Sequence, residues 1–382
     1  MVSDAKIRAY LELLTNGFRF MVFYVALELK VTAKLEEEVQ LLQAMIKPIG
    51  AAFVVGLLGW VYKALKPPSP KVCGSANGPP VTSPRVKLSD GRHLAYREVG
   101  VPKEEAQYKI IISHGYNNCK DMYLPASQEL IEELKLYFVL YDRAGYGESD
   151  PYPARSVKTE AFDIQELADK LQLGTKFYVL GCSMATYSIW SCLKYIPHRL
   201  LGASLVVPTV NYWWPSAPSA LSTQSFRKLT KSYQRTYWIA HFTPWLFYWW
   251  AKQKWYPNLV REGLLTDSDL EILEGMLELP NNGQEKIDQQ GTYESLHRDM
   301  LVAFGKWEFD PIIDLSNPFP DNKGGSVHMW LGTADRVVPN LFNHYMVEKL
   351  PWIQCHEVPN AGHLLVHEPK SFEAIIRALL AG

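Results

Sequence analysis

The stretch FYVLGCSMA, residues 177–185, places a serine at a sharp turn between a strand and a helix. Phe177–Leu180 is a short apolar run, which is typical of a buried strand, and a helical pattern follows the turn. Such a turn strains the serine backbone, so only small residues fit two positions before and after it. Gly181 satisfies this requirement, whereas Ala185 stands where the usual G-x-S-x-G pattern has a second glycine. Ser183 is therefore a candidate nucleophile, and the alternative is an ordinary serine in a turn.

Short apolar runs recur on both sides of this turn, and helical patterns separate them. Two early runs, Val86–Leu88 and His93–Glu98, flank Ser89-Asp90-Gly91 and predict an antiparallel hairpin. Later strands alternate with helices, which predicts an α/β fold whose mostly parallel sheet has helices on both faces. The later predicted strands, besides the one before Ser183, are Lys109–Ser113, Phe138–Tyr141, Ala203–Val207, Val327–Leu331 and Gln354–Val358.

A serine needs a base and the base needs an orienting group, and both candidates follow predicted strands. His363 comes after the last strand, and Gly362 allows the loop to turn inward. Asp335 comes after the preceding strand, so the chain order is Ser, Asp, His. His367 is a competing base, and a helix cap is the alternative role of Asp335. Three such residues in this order predict a catalytic triad of Ser183, Asp335 and His363.

Two backbone N–H groups are candidates for an oxyanion hole. Met184 follows the serine directly, and Tyr116 follows His114-Gly115 at the end of an earlier strand. Because these donors belong to the backbone, side-chain identity matters little. The glycine-rich run DRAGYGESD at Asp142–Asp150 lacks the spacing and the lysine of a phosphate-binding loop, so we interpret it as a structural turn.

Composition excludes several classes of function. Lys+Arg 39 and Asp+Glu 40 give a net charge of -1, which does not predict nucleic-acid binding. The five cysteines form no C-x-x-C pair, so neither a zinc site nor a disulfide framework is predicted. No cofactor and no metal ion are expected.

The predicted core of residues 85–208 and 321–382 is interrupted by residues 209–320. This helical insertion holds eight of the twelve tryptophans and is expected above the carboxyl edge of the sheet, where ligands bind. We expect most of these tryptophans to pack on the core. The aromatic composition predicts an apolar small-molecule substrate.

The N-terminal region, residues 1–66, contains an uncharged apolar run at residues 49–62. The run ends in aromatic and basic residues, as at membrane interfaces, but is shorter than the ~20 residues of a spanning helix. It predicts membrane association, and the alternative is a helix docked on the core. The Pro- and Gly-rich residues 67–84 predict a semi-rigid spacer. Whether the run spans a bilayer, and the oligomeric state, stay open.

These motifs together resemble the α/β-hydrolase superfamily from about Arg85 to Leu380. Several stretches are similar to plant members with an N-terminal hydrophobic anchor: PPVTSPRVKLSDGRHLAYRE from Pro79, SCLKYIPHRL from Ser191, NYWWPS from Asn211 and KLPWIQCHEVPNAGHL from Lys349. The resemblance implies serine-hydrolase chemistry beneath a helical cap, while a serine nucleophile departs from the epoxide hydrolases, which use aspartate. The loop after His114-Gly115 and the residue Ala185 also depart from the pattern.

Three functions follow as hypotheses. The first is hydrolysis of an ester-like bond through an acyl-enzyme. The second is a retired hydrolase that binds a ligand or partner, motivated by Ala185 and the unusual Tyr116–Cys119 loop. The third is a lyase or cyclase that uses the same pocket. If the apolar run spans a membrane, Lys63, Lys66 and Lys71 downstream of it favour a cytosolic catalytic domain, whereas Lys34 and Lys47 upstream count against this orientation. The expected location is the endoplasmic reticulum or another endomembrane.

Overall fold

The protein divides into two compact units, Met1–Ala64 and Leu65–Gly382. The computed structural model describes residues 4–28, 33–278, 283–320 and 325–381. The described residues of the first unit form two helices, α1 (Asp4–Glu28) and α2 (Ala33–Leu65), of which α2 extends one residue into the second unit. The second unit contains the sheet and all the residues predicted to form the site.

One helix in the described part of the chain is long and apolar enough to cross a membrane. It is the 22-residue segment Ala44–Leu65 of α2, with a mean hydropathy of 1.8. The expectation of a shorter run, residues 49–62, underestimated this segment because Ala44, Met45 and Ile46 continue the helix before Pro48. At 1.5 Å per residue the segment is about 33 Å long, which matches the hydrocarbon core of a bilayer.

An eight-stranded sheet forms the centre of the second unit, in the order β1-β2-β4-β3-β5-β6-β7-β8. The pairs β1–β2 and β2–β4 are antiparallel, and all the other pairs are parallel. This confirms the predicted fold class, and each predicted strand overlaps an observed one. The strands are β1 (Arg85–Lys87), β2 (His93–Gly100), β3 (Tyr108–Ser113), β4 (Leu136–Tyr141), β5 (Phe177–Cys182), β6 (Leu200–Val206), β7 (Val327–Gly332) and β8 (Ile353–Val358).

Both faces of the sheet are covered, so most residues of its central strands are buried. Strands β4 and β5 are buried at every position. In β3, Ile110 and Ile112 pack into one hydrophobic cluster and Ile111 into the other, as the two-residue period of a strand requires. The covering helices are α3 (Gln128–Leu134) and α13 (Pro369–Leu380) on one face, and α4 (Val157–Lys170), α5 (Thr186–Tyr195) and α12 (Leu341–Lys349) on the other.

The amphipathic helix α13 shows how these layers are stabilised. Phe372, Ile375, Ile376 and Leu379 recur at helical spacing and are at most 1% exposed. Each buried apolar side chain of this size contributes about 1.5–3 kcal/mol. The face that they form holds the end of the chain against the sheet.

Helices fill the stretch between β6 and β7, where the sequence predicts an insertion. They are α6 (Ser219–Lys228), α7 (Lys231–Phe242), α8 (Phe247–Ala251), α9 (Asp267–Glu278), α10 (Arg298–Phe304) and α11 (Pro311–Asp314). We refer to residues 209–320 as the cap. Its predicted end adjoins residues 321–324, which lie outside the described residues.

The expectation that most cap tryptophans pack on the core is wrong. Trp214 and Trp250 are buried, and Trp213 and Trp307 are partly buried. The remaining four are exposed: Trp238, Trp245, Trp249 and Trp255. Burial on the core therefore does not account for half of the tryptophans in the cap.

Residues 67–84 do not behave as a simple spacer, because several of them are hydrogen-bonded to the core and to the cap. Lys71 N–H donates to Gln290 O at 2.8 Å, and Cys73 N–H donates to Gln290 Oε1 at 2.9 Å. Thr82 N–H donates to the buried carboxylate of Glu148 at 2.7 Å. The composition of the segment predicts its lack of helix, but partners more than sixty residues away hold it in place.

Candidate active site

Ser183 lies at the sharp turn between β5 and α5, with the strained backbone that this position predicts. Its φ of 53° is in the left-handed region, which is uncommon for a residue with a side chain. A Cβ atom at Gly181 would lie 2.5 Å from Ile189 Cγ1, so glycine is required there. Ala185 has ordinary helical angles, φ −64° and ψ −11°, so its backbone conformation does not need a glycine.

The structure brings Ser183, His363 and Asp335 together from three loops at the carboxyl edge of the sheet. Ser183 Oγ lies 2.8 Å from His363 Nε2, and His363 Nδ1 lies 2.8 Å from Asp335 Oδ2. The other carboxylate oxygen, Oδ1, accepts from the N–H groups of Val337 and Val338. Because an ionised carboxylate only accepts, the proton of the ring resides on Nδ1 and leaves Nε2 free to accept from the serine.

Electrostatics favour proton uptake by the His363 ring. Burial alone lowers the pKa of this imidazole, but the carboxylates of Asp335 and Asp269 outweigh burial and raise the pKa above its ordinary value of 6.5. A ring with a raised pKa is the stronger base. The competing candidate His367 differs, because burial lowers its pKa to about 4 and its Nδ1 lies 3.1 Å from the carbonyl oxygen of Tyr123.

The loop at His114-Gly115 lies directly against the serine, since a Cβ at Gly115 would be 3.5 Å from Ser183 Cβ. His114 Nε2 accepts from Arg143 N–H at 3.1 Å, so Nδ1 carries the proton and donates to Gly115 O at 2.9 Å. Arg143 Nη2 donates to the same carbonyl at 3.3 Å. In a trans peptide the C=O and the following N–H point in opposite directions, so the N–H of Tyr116 points away from this buried network.

The N–H of Met184 is oriented by the same geometry. The carbonyl of Ser183, in the same peptide unit, accepts from Thr186 Oγ1 at 2.7 Å and from Thr209 N–H at 3.3 Å. The N–H of Met184 therefore points away from these two donors. Tyr116 and Met184 both line the cavity beside Ser183, as an oxyanion hole at this position requires.

A small apolar cavity of about 130 Å³ opens beside the serine. Core and cap both contribute to its wall, and six of the lining residues are Tyr116, Tyr233, Tyr237, Leu259, Met300 and Val338. A cavity of ~150 Å³ accepts a molecule the size of benzene. In this form the cavity therefore has room for a small acyl group or a ring next to Ser183.

Comparison with known families agrees with this arrangement. The sequence model described as "Alpha/beta hydrolase family" matches residues 110–378, well over half of the chain. The chain belongs to the alpha/beta hydrolase family. No curated protein sequence gives a significant match to it.

Solved structures share the fold of this alpha/beta hydrolase at low sequence identity. A thermophilic esterase from Thermogutta terrifontis is 20% identical, with a TM-score of 0.51 over 79% of this chain and 98% of that one. A structure from a study of carboxylesterases of Nitrososphaera gargenis is 14% identical, with a TM-score of 0.52 over 78% and 98%. A bromoperoxidase from Bacillus anthracis is 15% identical, with a TM-score of 0.52 over 79% and 100%. These similarities establish the fold.

Asp269 is a residue of the hydrolase site that the sequence reasoning missed. It lies in α9 of the cap, is 1% exposed, and accepts from the N–H groups of His363 at 3.1 Å and Leu364 at 2.7 Å. A Cβ at Gly362 would lie 1.9 Å from its carboxylate. Glycine is thus required at position 362 because the Asp269 carboxylate lies so close, and not because the loop needs its conformational freedom.

A signal for Asp269 exists in the sequence, but it is only local. Thr266 and Asp269 form reciprocal hydrogen bonds, in which each side chain accepts from the other's backbone N–H. This is a capping box, which the T-x-x-D spacing predicts for the start of α9. The contact with the loop of His363 depends on the tertiary fold and leaves no such pattern.

We expect Asp269→Asn to impair the base without removing it. An amide has one acceptor oxygen and no charge, so the loop of His363 loosens and the pKa of the ring falls. A misplaced ring lowers kcat/KM by about 10²-fold. The acidic limb of the pH–rate profile, which reports protonation of the base, should lie above pH 6.5 in the parent and move to lower pH in the variant. If the acidic limb of the profile does not move, Asp269 has a purely structural role. The control is Asp267→Asn, at an exposed position of the same helix.

A second buried carboxylate ties the cap of this hydrolase to the core. Asp299 of α10 accepts from Arg143 Nη1 at 2.6 Å and from Nη2 at 2.7 Å. Tyr146 and Tyr187 also donate to it, and Arg155 lies at 3.3 Å. Burial raises the pKa of Asp299, but the two guanidinium groups outweigh burial and hold the pKa well below its usual range. The DRAGYGESD run thus serves as a structural element, with Arg143 as its anchor.

Proposed function

We propose that this chain is a serine hydrolase that cleaves an ester-like bond of an apolar small molecule through an acyl-enzyme. The observation that carries the proposal is the continuous hydrogen-bonded series Ser183–His363–Asp335 at the mouth of an apolar cavity. Its distances, the ring tautomer and the raised pKa of His363 are those that a serine nucleophile needs.

In the proposed mechanism, His363 Nε2 takes the proton of Ser183 as Oγ attacks the carbonyl carbon of the ester. The N–H groups of Tyr116 and Met184 stabilise the oxyanion, and the loss of one such donor costs about 2.7–4 kcal/mol of barrier lowering. The protonated ring then gives its proton to the leaving alcohol. Water activated by the same nitrogen releases the acid and restores the serine.

The size and lining of the cavity support a substrate with a short acyl chain or a small ring. Its wall combines phenol rings with Leu259, Met300 and Val338, so burial of apolar surface supplies most of the binding energy. We also propose that the helix Ala44–Leu65 attaches the enzyme to a membrane, with the catalytic unit in the cytosol on an endomembrane. The resemblance to anchored plant members stays a prediction.

Hydrolysis of p-nitrophenyl esters of increasing chain length tests the proposal. We expect kcat/KM to be highest for the shortest acyl groups and to fall once the acyl group is longer than the cavity. We also expect a fluorophosphonate to label the protein covalently. A folded protein that neither labels nor hydrolyses any ester would favour a retired, ligand-binding hydrolase. Labelling without turnover of any ester would favour a lyase or cyclase.

A further inference from the structure

The first half of the cap exposes an unusual set of large aromatic side chains. Trp238, Phe242, Trp245, Trp249 and Trp255 are 48%, 49%, 64%, 36% and 46% exposed. A soluble domain rarely leaves so many aromatic rings in water within one short segment unless they have a partner. We call these five residues, with the exposed cations of residues 227–261, the aromatic–cationic surface.

Helix α7 shows that this surface is built as one face. Lys231, Arg235, Trp238 and Phe242 follow each other at steps of four, three and four residues, so they lie along one stripe, and all four are exposed. The opposite side of the helix buries Tyr233 and Tyr237 against the cap interior. Helix α7 therefore buries aromatic residues on its inner side, and on its outer side it exposes aromatic residues together with cations.

The exposed rings continue from α7 to the next helix. Trp238 and Phe242 are 5.3 Å apart between ring centroids. Arg235 and Trp238 share a shallow surface groove with Leu246 and Trp250. Trp250 in turn lies 6.4 Å from the exposed Trp255. The groove thus joins α7 to α8 and extends the surface to residue 255.

The charge of the segment has one sign. Residues 209–261 contain no Asp or Glu but seven cations, all of them exposed: Arg227, Lys228, Lys231, Arg235, Lys252, Lys254 and Arg261. The whole chain has a net charge of -1, so this segment departs strongly from the rest. None of the seven forms an ion pair with a carboxylate among the residues that the structure describes. The cations are therefore available to an external anionic surface.

We propose that the aromatic–cationic surface docks the cap onto an anionic lipid bilayer. Tryptophan rings settle at the headgroup level, and Lys and Arg nearby are attracted by acidic headgroups. Four of the seven cations are lysines, which protein–protein interfaces avoid, so the chemistry fits a lipid surface better than a protein partner. This contact is separate from the helix Ala44–Leu65 and from the chemistry of Ser183.

Docking would bring the cavity close to the bilayer. Trp255 and Val260 point outward and are exposed, whereas their neighbours Tyr256 and Leu259 face the site. Tyr256 OH lies 3.2 Å from Tyr116 OH, and Leu259 lines the cavity. One short segment therefore has the lipid on one side and the cavity on the other, which gives an apolar molecule dissolved in the bilayer a short path to Ser183.

A single environment-sensitive fluorophore in the full-length chain tests this contact. Cys355 is the exposed cysteine among the five, so Cys355→Ser gives a background in which Trp245→Cys can be labelled with a nitrobenzoxadiazole group. With vesicles of phosphatidylcholine and phosphatidylserine, we expect the emission to shift to the blue and to rise several-fold, and to do so much less with phosphatidylcholine alone. The same label at Ala374→Cys, on the exposed side of α13, should not respond.

Replacing four of the cations tests the electrostatic contribution to lipid binding. The combined substitutions Lys231→Gln, Arg235→Gln, Lys252→Gln and Lys254→Gln should abolish the difference between the two vesicles, with hydrolysis of a soluble ester unchanged as the check of folding. If the emission of the label at residue 245 changes with neither kind of vesicle, the proposal is overturned. A blue shift that needs no lipid and grows with protein concentration also overturns the proposal. The partner would then be residues 262–320 of another copy, where Asp and Glu outnumber Lys and Arg.

Discussion

Replacing Ser183 with alanine should abolish both ester hydrolysis and fluorophosphonate labelling. Ser183 Oγ is the atom that His363 Nε2 contacts at 2.8 Å, and alanine offers nothing to deprotonate or to acylate. Removing such a nucleophile lowers kcat by about 10⁶-fold and leaves only the catalysis of the oxyanion hole and of binding. The measurement is kcat with a p-nitrophenyl ester, together with gel fluorescence of the labelled protein.

The matched control for this experiment lies on the helix that follows Ser183. Ser191 is buried in α5, and its Oγ donates to Lys158 O at 3.4 Å, away from the cavity. Ser191→Ala should label and hydrolyse like the parent protein. A Ser183→Ala variant that keeps its label, while folded, would place the nucleophile elsewhere and remove the basis of the proposed mechanism.

Asp299→Ala should be among the most destabilising substitutions in the chain. It leaves Arg143 and Arg155, both with fully buried side chains, without the carboxylate that they share. Breaking a buried ion pair by removing one partner costs about 3–5 kcal/mol, because the remaining charge is buried and uncompensated. Urea unfolding followed by circular dichroism measures this change in the free energy of unfolding.

An exposed pair gives the comparison. Arg377 bonds to Glu133 and Glu373 on the surface, where solvent screens the charges, so Arg377→Gln should change the free energy of unfolding far less than Asp299→Ala does. Equal effects of the two substitutions would mean that the Asp299 network contributes little net stability. Because Arg143 also bonds to Gly115 O, we expect Asp299→Ala to reduce activity even in the folded fraction.

The parallel strands and the series Ser183, Asp335, His363 were predictable because their signals are local. Each candidate directly follows a short apolar run, and the carboxyl ends of parallel strands meet at one edge. Asp269 and Asp299 were not predictable, since a carboxylate in a remote helix looks like any solvated residue until the fold buries it. Their partners lie 94 and 156 residues away along the chain.

Composition misled the prediction in two places for a physical reason. Prolines and glycines exclude a helix at residues 67–84, but they do not exclude hydrogen bonds such as those from Thr82 to Glu148. Aromatic richness indicated burial, but tryptophan is amphipathic and is as suited to an interface as to a core. In both places the composition indicates a property of the residues but does not identify the groups that they contact.

The separation of Ser183 from His363 by 180 residues has a consequence for biosynthesis. Translation delivers the hydroxyl first, and the imidazole follows 180 residues later, after the edge strand β8. Since N-terminal parts of a chain fold earlier during synthesis, a growing polypeptide carries Ser183 without its hydrogen-bond partner until residue 363 emerges. Under the proposed mechanism, a product that stops before residue 363 therefore lacks the group that would activate Ser183.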